Sequence, residues 1–159
     1  MLNTRELILV GIDGSTASTA ALRWALKEAV TRDATVEVVH CYLPQTLTDL
    51  GFSTPHELHT ASAILLDNEV SAALLEMSQV PEVRKSSESG GPAKVLVEKS
   101  AAASLLVLGV HGQTALRDLI LGRVGSACLR HAACPVVIVG SDNSVVRHVS
   151  RQPVPVATP

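Results

Sequence analysis

Residues 109–126 read GVHGQTALRDLILGRVGS and follow directly on the apolar run SLLVLG at 104–109. Gly109 and Gly112 stand three positions apart, nine residues follow, and Gly122 and Gly125 again stand three apart. Glycine lets a bulky group approach the backbone closely, and the unpaired N–H groups at the start of a helix attract anions. The stretch therefore predicts a cradle for a phosphate group, unless these glycines serve only turns and tight helix packing.

The size and composition of the chain favour one α/β domain. Its 159 residues suit a single unit with a sizeable core. Apolar residues make up 47% of the chain, yet only Trp24, Tyr42 and Phe52 are aromatic, so the core must consist of Ala, Val, Leu and Ile. That composition is typical of helices packed on a parallel sheet.

Charge, hydropathy and cysteines narrow the range of partners. The formal net charge of −2 argues against nucleic acid, whose binding requires a basic surface. No apolar run approaches the roughly 20 residues of a membrane helix. Cys41, Cys128 and Cys134 form no CxxC pair, which fits a reducing cytoplasm.

Apolar runs and helical periodicities alternate along the chain. Strands are predicted at 7–12, 35–41, 104–109 and 136–140, and helices at 18–32, from about 55 to 79, from 92 onward and at 124–132. Residues 82–89 are polar enough to predict an edge strand, and 42–55 a long loop. The pattern predicts an open, five-stranded parallel α/β sheet in residues 1–141, followed by a disordered tail at 142–159.

The second helix is predicted from one apolar stripe on its surface. The stripe consists of Ala61, Ile64, Leu65, Ala72 and Leu75. These residues recur at helical spacing, and Asn68 interrupts them where an apolar residue is expected. Pro81 marks the end of this helix.

The position of the glycine-rich stretch indicates a binding site of a particular kind. In open α/β sheets, ligands bind beyond the carboxyl ends of the strands, and Gly109 lies at such an end. The chain has no GxxxxGK(S/T) phosphate loop, and GIDG at 11–14 lacks the GxGxxG spacing of a dinucleotide fold. The predicted cradle therefore belongs to a different class of loop.

Four stretches together resemble the universal stress protein family, over roughly residues 5–140. Gly109, Gly112 and Gly122 match the G-x2-G-x9-G-(S/T) motif of its ATP-binding members, and VGIDGSTASTAALRWALKEA, VVH and LRHAACPVVIV match other parts of the domain. The resemblance implies a doubly wound sheet with helices on both faces and strand order 3-2-1-4-5. It also implies binding of ATP, with Mg²⁺, or of another adenine nucleotide as a regulatory ligand. Gly109→Val or Gly112→Val is then expected to weaken nucleotide binding without unfolding the protein.

The same resemblance implies roles for individual residues. Asp13 would lie near the ribose and adenine, although capping the turn before the first helix is an alternative role. The backbone of Val39 would read the adenine edge. Arg123 and Gly125 stand where ATP-binding members carry Ser or Thr, so two hydroxyls that help hold the terminal phosphates are missing. The predicted nucleotide-binding residues are Gly11, Asp13, Val39, Gly109, Val110, Gly112, Gly122, Arg123, Val124 and Gly125.

Two other functions stay open at this point. The missing hydroxyls favour a nucleotide-free dimeric interaction module of the same family. An enzyme, such as a nucleotide hydrolase or nucleotidyl transferase, would have His111 as its candidate acid or base, but no carboxylate pair accompanies it, so we expect no catalysis. In a cytoplasmic stress-response protein of this kind, a homodimer is expected through the apolar edge from Val136 to Val139.

Overall fold

The computed structural model describes residues 4–43, 54–110 and 121–149, which form one sheet with helices on both faces. In chain order the elements are β1 (Leu7–Ile12), α1 (Thr16–Arg32), β2 (Thr35–Tyr42), α2 (Pro55–Leu75), β3 (Val83–Ser89), α3 (Pro92–Ser100), β4 (Leu105–Val110), α4 (Arg123–His131), β5 (Val136–Gly140) and β6 (Val145–Val149). The strand order is β3-β2-β1-β4-β5-β6, and β1 to β5 pair in parallel. The predicted α/β class and the order 3-2-1-4-5 are confirmed.

The core has two apolar layers, one on each face of the sheet. Successive side chains of β1 alternate between them: Ile8 and Val10 pack with α1 and α2, and Leu9 packs with α3 and α4. All three are fully buried. Because both faces are covered, the central strands are continuous apolar runs, which is the pattern that predicted them.

The helices begin and end close to the predicted positions. α1 begins at Thr16, two residues before the predicted start, because the Ser15 hydroxyl caps it by accepting a hydrogen bond from the Ser18 N–H at 3.2 Å. α2 ends at Leu75, four residues before the predicted end. None of the helices in the described part of the chain is both long and apolar enough to cross a membrane.

α2 packs through a different row of residues from the stripe that indicated it. Leu66, Val70 and Ala73 are buried, whereas Ile64 is 54% exposed and Leu75 is 88% exposed. α2 lies over the margin of the sheet, against β2 and β3, and touches α1. A helix at a margin buries only a narrow row, so its sequence can carry a second apolar row that faces solvent.

β6 lies where the sequence predicted a disordered tail, so that prediction is wrong for 142–149; residues 150–159 lie outside the described part. β6 pairs antiparallel with β5, placing Val136 opposite Val149. A tight turn joins them: the Gly140 N–H donates to the Ser144 carbonyl at 2.8 Å, and Asn143 takes a left-handed φ of 67°. With β4 on its other side, β5 has no free edge, so the premise of the predicted dimer contact is also wrong.

Candidate functional site

A cavity of about 290 Å³ opens at the carboxyl ends of β1, β2 and β4, beside the first turn of α4. This is the point at which the strand order reverses between β1 and β4, where open α/β sheets bind their ligands. Nine of the ten predicted residues line it: Gly11, Asp13, Val39, Gly109, Val110, Gly122, Arg123, Val124 and Gly125. Gly112 and His111 lie outside the described residues. The sequence motifs thus converge on one cavity.

The turn after β1 holds Asp13 at the mouth of this cavity. The Ser15 N–H donates to Asp13 Oδ1 at 3.0 Å, and the Asp13 N–H donates to the Ser18 hydroxyl at 3.2 Å. Gly14 takes a φ of 81° in the same turn. Asp13 therefore does stabilise the turn, through one carboxylate oxygen. Its side chain is exposed and also lines the cavity.

Gly11 and Gly109 allow neighbouring elements to approach the strand ends closely. A Cβ added at Gly109 would lie 2.3 Å from the carbonyl oxygen of Ala17 and 2.7 Å from the backbone nitrogen of Ser18. A Cβ added at Gly11 would lie 2.9 Å from Leu96 Cδ1. The packing interpretation of the glycines therefore holds for both, although both also line the cavity.

The first turn of α4 presents backbone N–H groups beside the cavity. Gly122 is the N-cap, and no side chain caps this end. The first N–H groups of any helix have no intrahelical acceptor and carry a partial positive charge. Arg123 adds a full positive charge at the first helical position, where its side chain is exposed. The Ser126 hydroxyl donates to the Leu121 carbonyl at 3.1 Å, so its proton is already used within the chain.

Sequence reasoning missed several residues that line the cavity. They are Ile12, Ser15, Ser18, Cys41, Pro92, Leu96, Leu108 and Leu121. Cys41 could have been predicted from the sequence, because it lies two residues after Val39 on the same face of β2. Burial raises the pKa of the Cys41 thiol to about 11, so it stays protonated and serves as part of an apolar wall.

The charge of Asp13 also acts on a polar cluster on the opposite face of β2. There His40 Nδ1 lies 2.7 Å from the Ser62 hydroxyl of α2, and that hydroxyl donates to the Ser87 hydroxyl at 3.0 Å. Burial lowers the pKa of His40, and the negative charge of Asp13 opposes this shift. The cluster joins β2, α2 and β3 through side-chain hydrogen bonds.

Comparison with known proteins assigns this domain. The model of the universal stress protein family matches residues 4–140. Universal stress protein Rv2623 of Mycobacterium tuberculosis H37Rv is 34% identical over 156 residues, covering 92% of this chain and 52% of the relative. The chain belongs to the universal stress protein family. It spans about half the length of the curated relatives it matches.

Solved structures share the fold at lower identity. A universal stress protein in complex with cAMP superimposes with a TM-score of 0.65 at 22% identity, covering 86% of this chain and 98% of that chain. The universal stress protein from Archaeoglobus fulgidus in complex with dAMP gives a TM-score of 0.63 at 23% identity, covering 85% and 98%. At these identities the likeness establishes the fold.

Proposed function

We propose that this domain binds an adenine nucleotide in the cavity between β1 and β4, as a regulatory ligand that it does not turn over. The observation that carries the proposal is the convergence of Asp13, Val39 and the first turn of α4 on one cavity. Two neighbours of the same fold contain cAMP and dAMP, which are adenine nucleotides with a single phosphate. We propose an adenine nucleotide as the ligand of this chain as well.

Different parts of the cavity suit different parts of such a nucleotide. Val39, Leu96 and Leu108 supply an apolar wall for the base. The Asp13 carboxylate accepts hydrogen bonds from ribose hydroxyls. The N-terminus of α4, with Arg123 beside it, attracts the phosphate through backbone N–H groups and positive charge.

ATP is the nucleotide that the glycine motif implies, and its terminal phosphates are the part this chain binds less well. Arg123 and Gly125 replace two hydroxyls, each worth about 1 kcal/mol in a neutral hydrogen bond and up to about 3 kcal/mol to a charged group. A net loss of one such hydrogen bond corresponds to ATP binding roughly 5- to 100-fold weaker than in a relative with both hydroxyls. Mg²⁺ would arrive with the phosphates, since no group of three His, Cys, Asp or Glu side chains in the described residues could hold a metal.

Catalysis is not part of the proposal. Its only sequence candidate, His111, is accompanied in residues 109–126 by a single carboxylate, Asp118, and not by a carboxylate pair. ATP hydrolysis at ordinary enzyme rates, lost in His111→Ala, would reverse this view.

The alternative function is a nucleotide-free interaction module. Arg123 and Gly125 favour it, because an exposed arginine at the start of α4 can occupy the place of a phosphate. Mass spectrometry of small molecules released from the purified, heat-denatured protein separates the two functions. A bound adenine nucleotide supports the first, and its absence combined with no binding supports the second.

The cellular part of the proposal is a stress-response role in the cytoplasm, as a homodimer. Cys128 and Cys134 are buried free thiols, which suits a reducing compartment. The dimer needs a surface other than the one predicted, since β6 covers the edge of β5.

Calorimetric titration of the nucleotide-free chain with AMP, cAMP and ATP tests the site. Asp13→Asn keeps the oxygen that accepts from Ser15 and removes the charge, so we expect roughly 5-fold weaker binding. Asp142→Asn is the matched control, because Asp142 Oδ1 accepts from the Ser144 N–H at 3.1 Å in a similar exposed turn away from the cavity. Equal affinity of both variants and the parent would remove Asp13 from the site.

A further inference from the structure

α2 carries an exposed apolar stripe that neither the core nor the cavity uses. The exposed stripe contains Ala61, Ile64, Ala72 and Leu75 of the predicted stripe together with Asn68, and all five are exposed, whereas Leu65 is half-buried against the core and does not belong to it. Spacings of three and four residues place them on one face of the helix, about 21 Å long. Single exposed apolar residues are common on protein surfaces, but an aligned row on one helix indicates a contact surface.

We propose that this stripe is a two-fold contact surface for a second copy of the domain, with α2 pairing antiparallel to its equivalent. The positions of the four apolar residues are symmetric about Asn68, and each symmetric pair combines one large and one small residue. Ile64 and Ala72 lie four residues before and after it, and Ala61 and Leu75 lie seven before and after it. A two-fold axis at Asn68 therefore sets Ile64 in one layer with the partner's Ala72, and Leu75 in another with the partner's Ala61.

Each layer then combines one large apolar side chain with one alanine. Such pairs interdigitate and let two helices approach closely. On the axis Asn68 meets its own copy, and an amide carries both donors and an acceptor, so two identical amides can hydrogen-bond to each other. In parallel coiled coils a single buried Asn specifies the register. In the antiparallel pair the two Asn68 amides meet only when the two-fold axis passes between them. A surface that complements itself is what a two-fold contact between identical copies requires.

Two of the carboxylates beside the stripe are already compensated within the chain. Lys85 forms an ion pair with Asp67, and Arg23 Nη2 lies 2.8 Å from Glu76 Oε1. A third, Glu69 Oε2, accepts from the Thr19 hydroxyl of α1 at 3.0 Å. Two copies of α2 can therefore approach with these carboxylates held by groups of their own chain. This favours a second copy over a basic partner, for which free acidic groups would be needed.

The size of the surface determines how strong the contact is. α2 has 21 residues and is about 31 Å long, so one face covers on the order of 300 Å² per copy. Stable interfaces cover about 800 Å² per partner, so the contact between separate chains is weak and reversible. The matched relatives are long enough to contain two such units. Two units within one chain would have an effective concentration in the millimolar range.

Sedimentation velocity on the full chain, at concentrations up to about 1 mM, tests the proposal. The parent is expected to shift from one chain toward two with rising concentration. Asn68→Lys and Asn68→Glu each place like charges on the axis, so each variant alone is expected to remain a single chain. An equal mixture of the two is expected to associate again, at least 10-fold more tightly than either alone.

Matched charge changes on the exposed side of α3 serve as controls. Lys94→Glu and Glu98→Lys should leave the association of the parent unchanged. A parent that stays a single chain throughout would overturn the proposal. So would Asn68 variants that associate like the parent, since the contact would then use another surface such as β6. A mixture of the two variants that fails to associate would also overturn it.

Discussion

Replacing Gly109 by alanine is expected to destabilise the fold through α1. The added Cβ would lie 2.3 Å from the Ala17 carbonyl oxygen and 2.4 Å from its carbonyl carbon, where ordinary contact begins at 3.4 Å. Because these atoms belong to the backbone of α1, no side chain can rotate away, and the helix would have to move from β4 by about 1.1 Å. Overpacking costs about 1–3 kcal/mol, and a backbone clash belongs at the upper end.

A loss of about 3 kcal/mol in the free energy of unfolding corresponds to a fall in Tm of about 6–12 °C for a domain of this size. Urea and thermal unfolding, followed by far-UV circular dichroism, measure the loss. Gly122→Ala is the control, because a Cβ there meets no atom within 4 Å, and it should change stability by less than about 1 kcal/mol. If Gly109→Ala proved as stable as Gly122→Ala, the close approach of α1 to β4 would be wrong.

Three further changes test other parts of the molecule. Arg123→Ser with Gly125→Ser should tighten ATP binding roughly 5- to 100-fold by calorimetry, whereas weaker binding would make Arg123 itself a phosphate ligand. Because the folded chain lowers the pKa of His40 below its ordinary 6.5, the unfolded chain binds more protons, and stability should fall as the pH drops through that value. When urea unfolding is measured at about pH 7.5 and about pH 5, the free energy of unfolding of His40→Gln should fall less at the lower pH than that of the parent. An equal fall would show that His40 is not responsible for the pH dependence. Ending the chain after Gly140 exposes the edge of β5 and should produce association in light scattering; a stable monomer would show that β6 protects nothing.

The sequence predicted the central sheet well because the burial of its strands is complete. β1, β4 and β5 lie between helices on both faces, so nothing but small and branched apolar residues fits there, and the continuous runs reveal them. The polar β3 was predicted as an edge strand for the opposite reason. The strand order itself came from family resemblance, since periodicity does not specify which strands are neighbours.

β6 was not predicted, because its apolar stretch is short and follows a polar segment. Five residues, VVRHV, follow SDNS, which alone suggests the start of a tail. A hairpin signal was present, however: Asn143 is a residue type that tolerates the left-handed conformation it adopts. For α2 the helix was predicted but the buried row was not. Two apolar rows on one helix have the same period, and only the position of the helix in the fold decides which row is buried.

Gly11 and Gly109 serve both the packing of the helices and the shape of the cavity, and the same geometry explains both roles. Gly109 faces α1 and Gly11 faces Leu96 of α3, so the two glycines lie on opposite faces of neighbouring strands. Each lets an element approach the strand end more closely than any side chain would allow, which brings the Ser15 turn and Leu96 to the cavity wall. A substitution at Gly109 therefore alters the cavity by moving α1, and its effect on binding cannot be separated from its effect on folding. Gly122 and Gly125 differ, because a Cβ at Gly122 meets nothing within 4 Å and one at Gly125 meets only the Leu121 side chain, at 3.5 Å. Side chains at the start of α4 can consequently be exchanged in a folded protein, so the proposed phosphate contact is a part of the cavity that this chain can change without losing the fold.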